Sequence, residues 1–380
     1  MVVFSKKTVI FSHFSATGAT EELRDWLVRN KAREVVYVAC PFMESKQSRV
    51  FIDVFRNGEL VLHKEGCLGF KHPEPLAYLR DMFYLLFYGF RFGRQGDILV
   101  AGDCLLGLAG LILRAFGAVH KVIYYVIDFT PRRFVNPLVN RVYITLDRLL
   151  AYRADQTWVL CKAMMEGREL FGQLDPARSR WKEVPYGNHP VHIAERKKHE
   201  PLKLVYMGGI MKNKGAELFI PTAGALIEAG IDFHFHIVGG GPDLETIRQE
   251  AAVKQIESRF TFHGFLDEFS SVLDILVQCD IALAPYNPNE PNSFAFYADP
   301  GKIKTYLGCG LPVVLTKVPP IAERIRQNGA GIIAGYQAGE FVDAIRRIRE
   351  NLAEYSRAAF QMGEAFSWDR IFTKVWAIFD

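Results

Sequence analysis

Apolar runs of strand length recur along this chain at "KTVIF", "EVVYVA", "DILVAG", "KVIYYVID", "QTWVL", "LKLVYMGG", "FHFHIVGG", "RFTFHG", "DIALAPY" and "LPVVLT", each bounded by Gly, Pro or Asp. Between them lie helix-length segments such as "ATEELRDWLVRN", "AELFIPTAGALIEAG", "GPDLETIRQEAAV" and "EFVDAIRRIRENL". Unbroken apolar strands suit burial on both faces, and helices between them act as crossovers, so the expected class is α/β with doubly wound parallel sheets. At 380 residues the chain exceeds one core of ordinary size, which predicts two such domains. The seam is placed in "GNHPVHIAERKKHEPLK", residues 187–203, where Pro190, a basic run and Pro201 leave little to bury. This sets a first Rossmann-like domain at 1–188, a linker at 189–202 and a second Rossmann-like domain at 203–363, facing each other across a cleft. Residues 364–380 read as an amphipathic helix, with Trp368, Ile371, Phe372, Val375, Trp376 and Phe379 packing back toward the first domain.

Composition narrows the class. Hydrophobic residues make up 49% and charged ones 23%, an ordinary globular balance. The six cysteines, at 40, 67, 104, 161, 279 and 309, have no ligand-like or disulfide-like spacing, which predicts reduced thiols in a cytoplasmic protein. Met1–Phe11 is too short for a signal peptide and reads as a strand, while the apolar window Cys104–Leu113 is about half of a membrane helix. No membrane-spanning segment is expected. Residues 1–195 carry 26 Lys+Arg against 20 Asp+Glu, a balance of +6, and the remainder carries 20 against 22, a balance of −2. A basic front half suggests an anionic partner there, with an anionic lipid surface as the expectation and a solvated basic surface as the alternative; nucleic acid is not expected. "PLAYLRDMFYLLFYGFRFGR", residues 75–94, has the aromatic, leucine and arginine mixture of a helix lying in a lipid interface, a pattern that a core helix shares.

Four strand-to-helix loops are built for an anion. "FSHFSATGATEELRDWL" places His13, Thr17 and Gly18 after a strand, with Thr20 as the expected helix cap. In "VYMGGIMKNKGAELFI", Gly208 and Gly209 allow close backbone approach and Lys214 is expected to open a helix. "HIVGGGPDLETI" sets Gly239, Gly240 and Gly241 before Pro242 at a first helical turn. "YADPGKIKTYLGCGLPVV" puts Lys302 on the first turn of a helix, where the macrodipole disfavours a cation unless an anion is also present. Phosphate is the anion that free N–H groups and a lysine hold together most readily.

In this order the loops resemble the C-terminal, donor-binding domain of the GT-B glycosyltransferases. The similarity is strongest to the large group 1 family typified by sucrose synthase and the lipopolysaccharide core glucosyltransferases. The matching pieces are Gly208, Gly209 and Ile210, then Lys214-Gly215; the turn Gly239–Pro242; the Phe262–Gly264 turn; and Pro300, Lys302 and Tyr306 before "GLPVV". The resemblance covers roughly residues 200–380 and fades to short motifs before that. One such piece, "DFTPRRFVNPLVNRVYITLDRLLAYRADQTWVLCKAM", resembles N-terminal domains of polysaccharide-assembly glycosyltransferases.

The resemblance implies a hexosyltransferase (EC 2.4) moving a sugar from a UDP- or GDP-sugar to a lipid-linked or oligosaccharide acceptor. The first domain would bind the acceptor and the second the nucleotide sugar, with no cofactor. It places the donor diphosphate at Gly209, Lys214, Gly240, Gly241 and Lys302, and the nucleotide at His263, Phe265 and Thr305. His13, Thr17 and Gly18 would contact substrate. No Asp-x-Asp triad marks a metal-bridged diphosphate, so no metal site is expected.

Two departures from the family pattern matter. Its phosphate-binding arginine is Gly209 here, and its paired glutamates fall at Tyr297 and Thr305. Loss of the first glutamate favours inversion, which needs a general base at a cleft-facing strand end. Asp128, directly after an apolar strand, is the expected base, with Asp103 next and His13 third. A helix- or turn-capping role competes for Asp128. Two other functional classes compete with transfer: sugar-nucleotide 2-epimerases, which share this fold, and a non-catalytic sugar-nucleotide-binding partner subunit.

Overall fold

The computed structural model describes residues 3–14, 18–41, 47–192, 196, 198–290 and 294–379. Thr17 lies outside the described residues. The chain divides into two compact units, Met1–Pro185 with Trp368–Asp380, and Tyr186–Ser367.

The first unit holds β1 (Lys7–His13), α1 (Ala19–Arg29), β2 (Glu34–Cys40), β3 (Phe51–Arg56), β4 (Glu59–Glu65) and α2 (Glu74–Phe92). These are followed by β5 (Gly96–Ala101), α3 (Cys104–Ala115), β6 (Val119–Val126), α4 (Pro137–Arg153), β7 (Gln156–Val159), α5 (Lys162–Gly172) and β8 (Trp181–Glu183). They form an eight-stranded sheet ordered β4-β3-β2-β1-β5-β6-β7-β8 among the described residues. It is parallel except at one edge, where β3 pairs antiparallel with β2 and β4. That hairpin was not expected, yet its turn is Asn57-Gly58, both at positive φ (51° and 92°), the residue pair such a tight turn demands. Beneath the sheet lies a core that includes Val9, Phe11, Val36, Leu99, Leu106 and Leu113.

The second unit holds β9 (Leu202–Met207), α6 (Phe219–Glu228), β10 (Phe233–Val238), α7 (Leu244–Val253), β11 (Phe260–Gly264), α8 (Phe269–Val277) and β12 (Ile281–Ala284). After these come α9 (Gly301–Gly308), β13 (Val313–Leu315), α10 (Ala322–Gln327), β14 (Gly331–Ile333), α11 (Ala338–Glu350) and α12 (Leu352–Ala365). Its sheet is ordered β11-β10-β9-β12-β13-β14, parallel throughout. Counted within the unit this is 3-2-1-4-5-6, the doubly wound order that binds ligands where the winding reverses.

The division differs from the expected one at its first boundary. It falls at Pro185/Tyr186, and residues 189–202 belong to the second unit. Arg196, from the basic run read as a solvated linker, is buried and donates to the Val277 and Cys309 carbonyls at 3.3 and 2.6 Å. Those acceptors hold two of the guanidinium nitrogens inside the unit, so Arg196 is anchored in the domain. At the far end α13 (Trp368–Trp376) belongs to the first unit. There Trp26 of α1 meets Phe372 and Trp376, with ring centroids 5.7 and 6.2 Å apart.

Candidate functional site

Each unit has its switch point at the carboxyl ends of the strands flanking the reversal: β1 and β5 in the first, β9 and β12 in the second. The predicted site residues concentrate at these two places.

In the second unit the glycine loops interlock through backbone. Gly208 N donates to Val238 O (2.9 Å), Ile210 N to Gly240 O (2.9 Å) and Gly239 N to Gly264 O (2.8 Å). A Cβ on Gly239 would lie 2.2 Å from Gly208 O, and one on Gly241 would lie 2.2 Å from Ile210 O. Gly241 is therefore required by loop packing, whereas a Cβ on Gly240 would meet open space. Lys214 sits in a 3-10 turn, Lys212–Lys214, rather than opening α6. Gly215 follows it at φ +80°, against the Pro285 carbonyl.

Two lysines then converge on one dipeptide. Lys302 Nζ lies 3.6 Å from where a Gly208 Cβ would stand, and Lys214 Nζ lies 3.2 Å from the corresponding point at Gly209. The lysine tip thus fills the space at Gly209 into which an arginine side chain would leave. Lys302 Nζ is shut away from solvent with no hydrogen-bond partner among the described residues, between the rings of Tyr206 (4.1 Å) and Tyr286 (4.7 Å). Burial, and then the charge of Lys214, hold the Lys302 pKa well below the ordinary lysine value; burial also lowers that of Lys214. The neighbouring Lys304, two residues on, is spoken for: it is buried in an ion pair with Asp299, which also accepts from Tyr186 N at 2.8 Å. α9 is latched to the sheet by Tyr306, whose hydroxyl accepts from Met207 N at 2.6 Å. A buried cation beside a half-buried one is unfavourable, and an anion between them removes the penalty.

The predicted nucleotide contacts are more scattered. His263 on β11 stacks on His236 at 5.3 Å, with ring nitrogens 3.0 Å apart. Burial and the neighbouring histidines lower both, His236 to about 4, so the two are neutral at pH 7. Phe265, just past Gly264, is 80% exposed. Thr305 is buried and its hydroxyl donates back to the Gly301 carbonyl at 3.2 Å. The tyrosines that wall Lys302 were not singled out from sequence; the signal was Tyr206, a polar-tipped aromatic one residue from the end of an otherwise apolar strand.

In the first unit, His13 ends β1 and Asp103 caps α3, accepting from Leu106 N at 2.8 Å. The other Asp103 oxygen meets His13 Nε2. Burial pulls the imidazole pKa down, but the Asp103 charge and hydrogen bond outweigh it and raise it. Burial likewise raises Asp103, and facing His13 more than reverses it, so the carboxyl is lowered. Asp81 and Arg133 act on His13 at longer range. Asp128 lies two residues past β6, its side chain 58% exposed, with Arg133 Nη1 at 3.5 Å. Gly18 caps α1, and Thr20, the expected cap, is instead inside the helix, its hydroxyl 2.7 Å from Ser12.

The His13–Asp103 pair makes stability depend on pH. A proton held more tightly folded than unfolded stabilises fully below the unfolded value of 6.5, and that contribution is lost as pH rises through the raised folded value. The stability gap between wild type and His13→Gln in urea unfolding should shrink by on the order of 1 kcal/mol between about pH 6 and pH 9. A gap that stays constant would mean the pair carries no charge.

This is the architecture of the GT-B fold, two doubly wound domains in one chain. Residues 201–351 match the family Glycosyl transferases group 1. Over 168 residues it is 29% identical to a GDP-mannose-dependent alpha-(1-6)-phosphatidylinositol dimannoside mannosyltransferase from Mycobacterium tuberculosis, covering 44% of this chain and 41% of that one. It therefore spans about two fifths of the length of the curated relative it matches. HepE from Anabaena, solved with UDP, superimposes with a TM-score of 0.68 at 14% identity over 98% of this chain and 99% of its own. WaaG, a glycosyltransferase involved in lipopolysaccharide biosynthesis, gives 0.64 at 14% identity over 98% and 99%.

Proposed function

We infer that the protein is a glycosyltransferase, moving a sugar from a nucleoside-diphosphate sugar to a lipid-linked or oligosaccharide acceptor at the cytoplasmic side of an anionic membrane. The observation that carries this reading is Lys302: a buried ammonium with no hydrogen-bond partner among the described residues, beside a second lysine, at the switch point of a glycine-looped sheet. A diphosphate supplies the missing negative charge, and the same clamp stabilises the charge that grows on the leaving diphosphate. The nucleotide extends toward β11, where His263 and Phe265 offer ring surfaces for a base. Uracil and guanine are the bases favoured, since HepE was solved with UDP and the mycobacterial relative is GDP-mannose-dependent.

The acceptor hydroxyl is deprotonated at the first unit's strand ends. Asp128 is the proposed base of an inverting transfer, and His13 and Gly18 hold substrate. None of these residues calls for a cofactor, and among the described residues no cluster of three His, Cys, Asp or Glu is arranged to hold a metal ion.

Incubation with labelled UDP- and GDP-sugars, with and without membrane lipid extract, tests the reading. Label should move to a lipid-extractable or oligosaccharide product. A chemically altered free sugar nucleotide would identify an epimerase, and binding without turnover would identify a partner subunit.

A further inference from the structure

We propose that α2, α3 and α4, side by side on one face of the first unit's sheet, form a docking surface for an anionic lipid bilayer. The inference rests on the lipid-linked acceptor reading only for the purpose of the docking; the surface itself is read from exposure and charge.

α2 is apolar on two opposite faces. Ala77, Tyr84, Leu85 and Tyr88 are buried against the unit. Leu76, Leu79, Phe83, Phe87 and Phe90 form a second stripe, at intervals of three and four residues, and are 51%, 68%, 57%, 51% and 37% exposed. One apolar face covers the core, and a helix in water needs only that one. The second requires another non-aqueous neighbour.

The stripe continues beyond α2. α3 packs against both α2 and α4. At its C-terminal cap Phe116, also exposed, meets Phe90 edge to face with centroids 5.9 Å apart. On α4 the exposed large apolar positions are Leu138, Val139, Val142 and Leu149, preceded by Val135. Together they exceed the scattered apolar residues normal on a soluble surface. Among the described residues no helix is long and apolar enough to cross a membrane, so the geometry suits lying on a bilayer.

Charge selects the occupant. Residues 128–153 carry Arg132, Arg133, Arg141, Arg148 and Arg153 against two acids, Asp128, which pairs with Arg133, and Asp147, which is buried in a pair with Arg168. Around α2, Lys71, Arg91 and Arg94 stand against Glu74, because Arg80 and Asp81 are buried together. A second copy of this chain would bring arginines against arginines. Anionic headgroups at the arginines, with aromatic side chains in the acyl boundary, satisfy both features at once.

Vesicle sedimentation tests this. Wild-type protein should pellet with phosphatidylcholine vesicles containing about one quarter phosphatidylglycerol, bind pure phosphatidylcholine poorly, and release as salt rises. Phe83→Glu with Phe87→Glu alters only exposed side chains and should lower the partition coefficient at least about tenfold. Arg141→Glu with Arg148→Glu should do the same through charge, by about tenfold or more. Nucleoside-diphosphate binding in solution, measured by calorimetry, should be unchanged in both variants. Absence of wild-type binding at low salt, or binding indifferent to the phenylalanine pair, overturns the proposal. So does a concentration-dependent dimer that the phenylalanine variant dissolves, with no vesicle binding. Loss of diphosphate binding in the wild type would instead sink the sugar-transfer reading and leave the vesicle result standing.

Discussion

Asp128→Asn should leave a folded protein with normal donor binding and transfer reduced by roughly 100- to 10,000-fold, the range for removing a positioned base. The asparagine keeps size and hydrogen bonding and abolishes basicity. A residue that merely capped a turn would cost about 1 kcal/mol of stability and little activity. Its placement after β6, largely exposed, with Arg133 alongside, leaves the carboxylate accessible to an incoming hydroxyl. The first unit also offers a second arrangement with the form of a base oriented by a third group: His13, held by Asp103. His13→Gln is therefore the companion variant. Near-normal turnover in Asp128→Asn alongside collapse in His13→Gln moves proton transfer to the imidazole. The anomeric configuration of the wild-type product is the independent check, since a single base-assisted displacement inverts it. A retained configuration ends the inverting reading whatever the variants do.

Lys302→Ala should raise the donor KM and lower kcat by a combined factor of roughly 10 to 1,000, because a charge-assisted contact to the leaving diphosphate is lost. The same change should stabilise the ligand-free protein or leave it unaltered. It removes a buried, unpartnered ammonium that faces a second cation. Few binding residues combine those two signs, and thermal melts with and without UDP or GDP separate them. Wild type should gain stability from the nucleotide, and Lys302→Ala should gain much less. Lys304→Ala is the control, expected to destabilise without any special effect on donor affinity, since its partner Asp299 is left buried without its counter-charge. Equal kinetics in wild type and Lys302→Ala would remove the diphosphate from this place.

Much of the fold was legible because strand burial leaves a mark on every residue of a run. The apolar stretches at Lys7–His13, Gly96–Ala101 and Leu202–Met207 are strands, and the glycine loops after them mark strand ends. The β3–β4 hairpin escaped because β4 is almost wholly exposed and so carries no apolar signature; Asn57-Gly58 alone announced it. The lysine site was half legible. Helix position singled out Lys302, but that Lys304 would be neutralised and Lys302 left bare depends on Asp299 folding back onto α9, a tertiary fact. His13 and Asp103 were named separately, and their pairing could not be read, since it joins positions 90 residues apart across two parallel strands. The place of Arg196 was hidden for a related reason. A basic run looks solvated in sequence, and only the carbonyls of Val277 and Cys309 show where Arg196 goes.

The return of Trp368–Asp380 to the first unit has a bearing on biosynthesis. The second unit, Tyr186–Ser367, is one uninterrupted stretch, so a growing chain completes it before the unit that began first. Until α13 emerges from the ribosome, Trp26 on α1 lacks its Phe372 and Trp376 neighbours and presents a bare aromatic surface. A nascent chain exposes such surface to chaperones and to other unfinished chains for the whole time the intervening domain is translated. Loss of the last helix through a late stop codon would make that transient state permanent, leaving the second domain whole and the first unable to close.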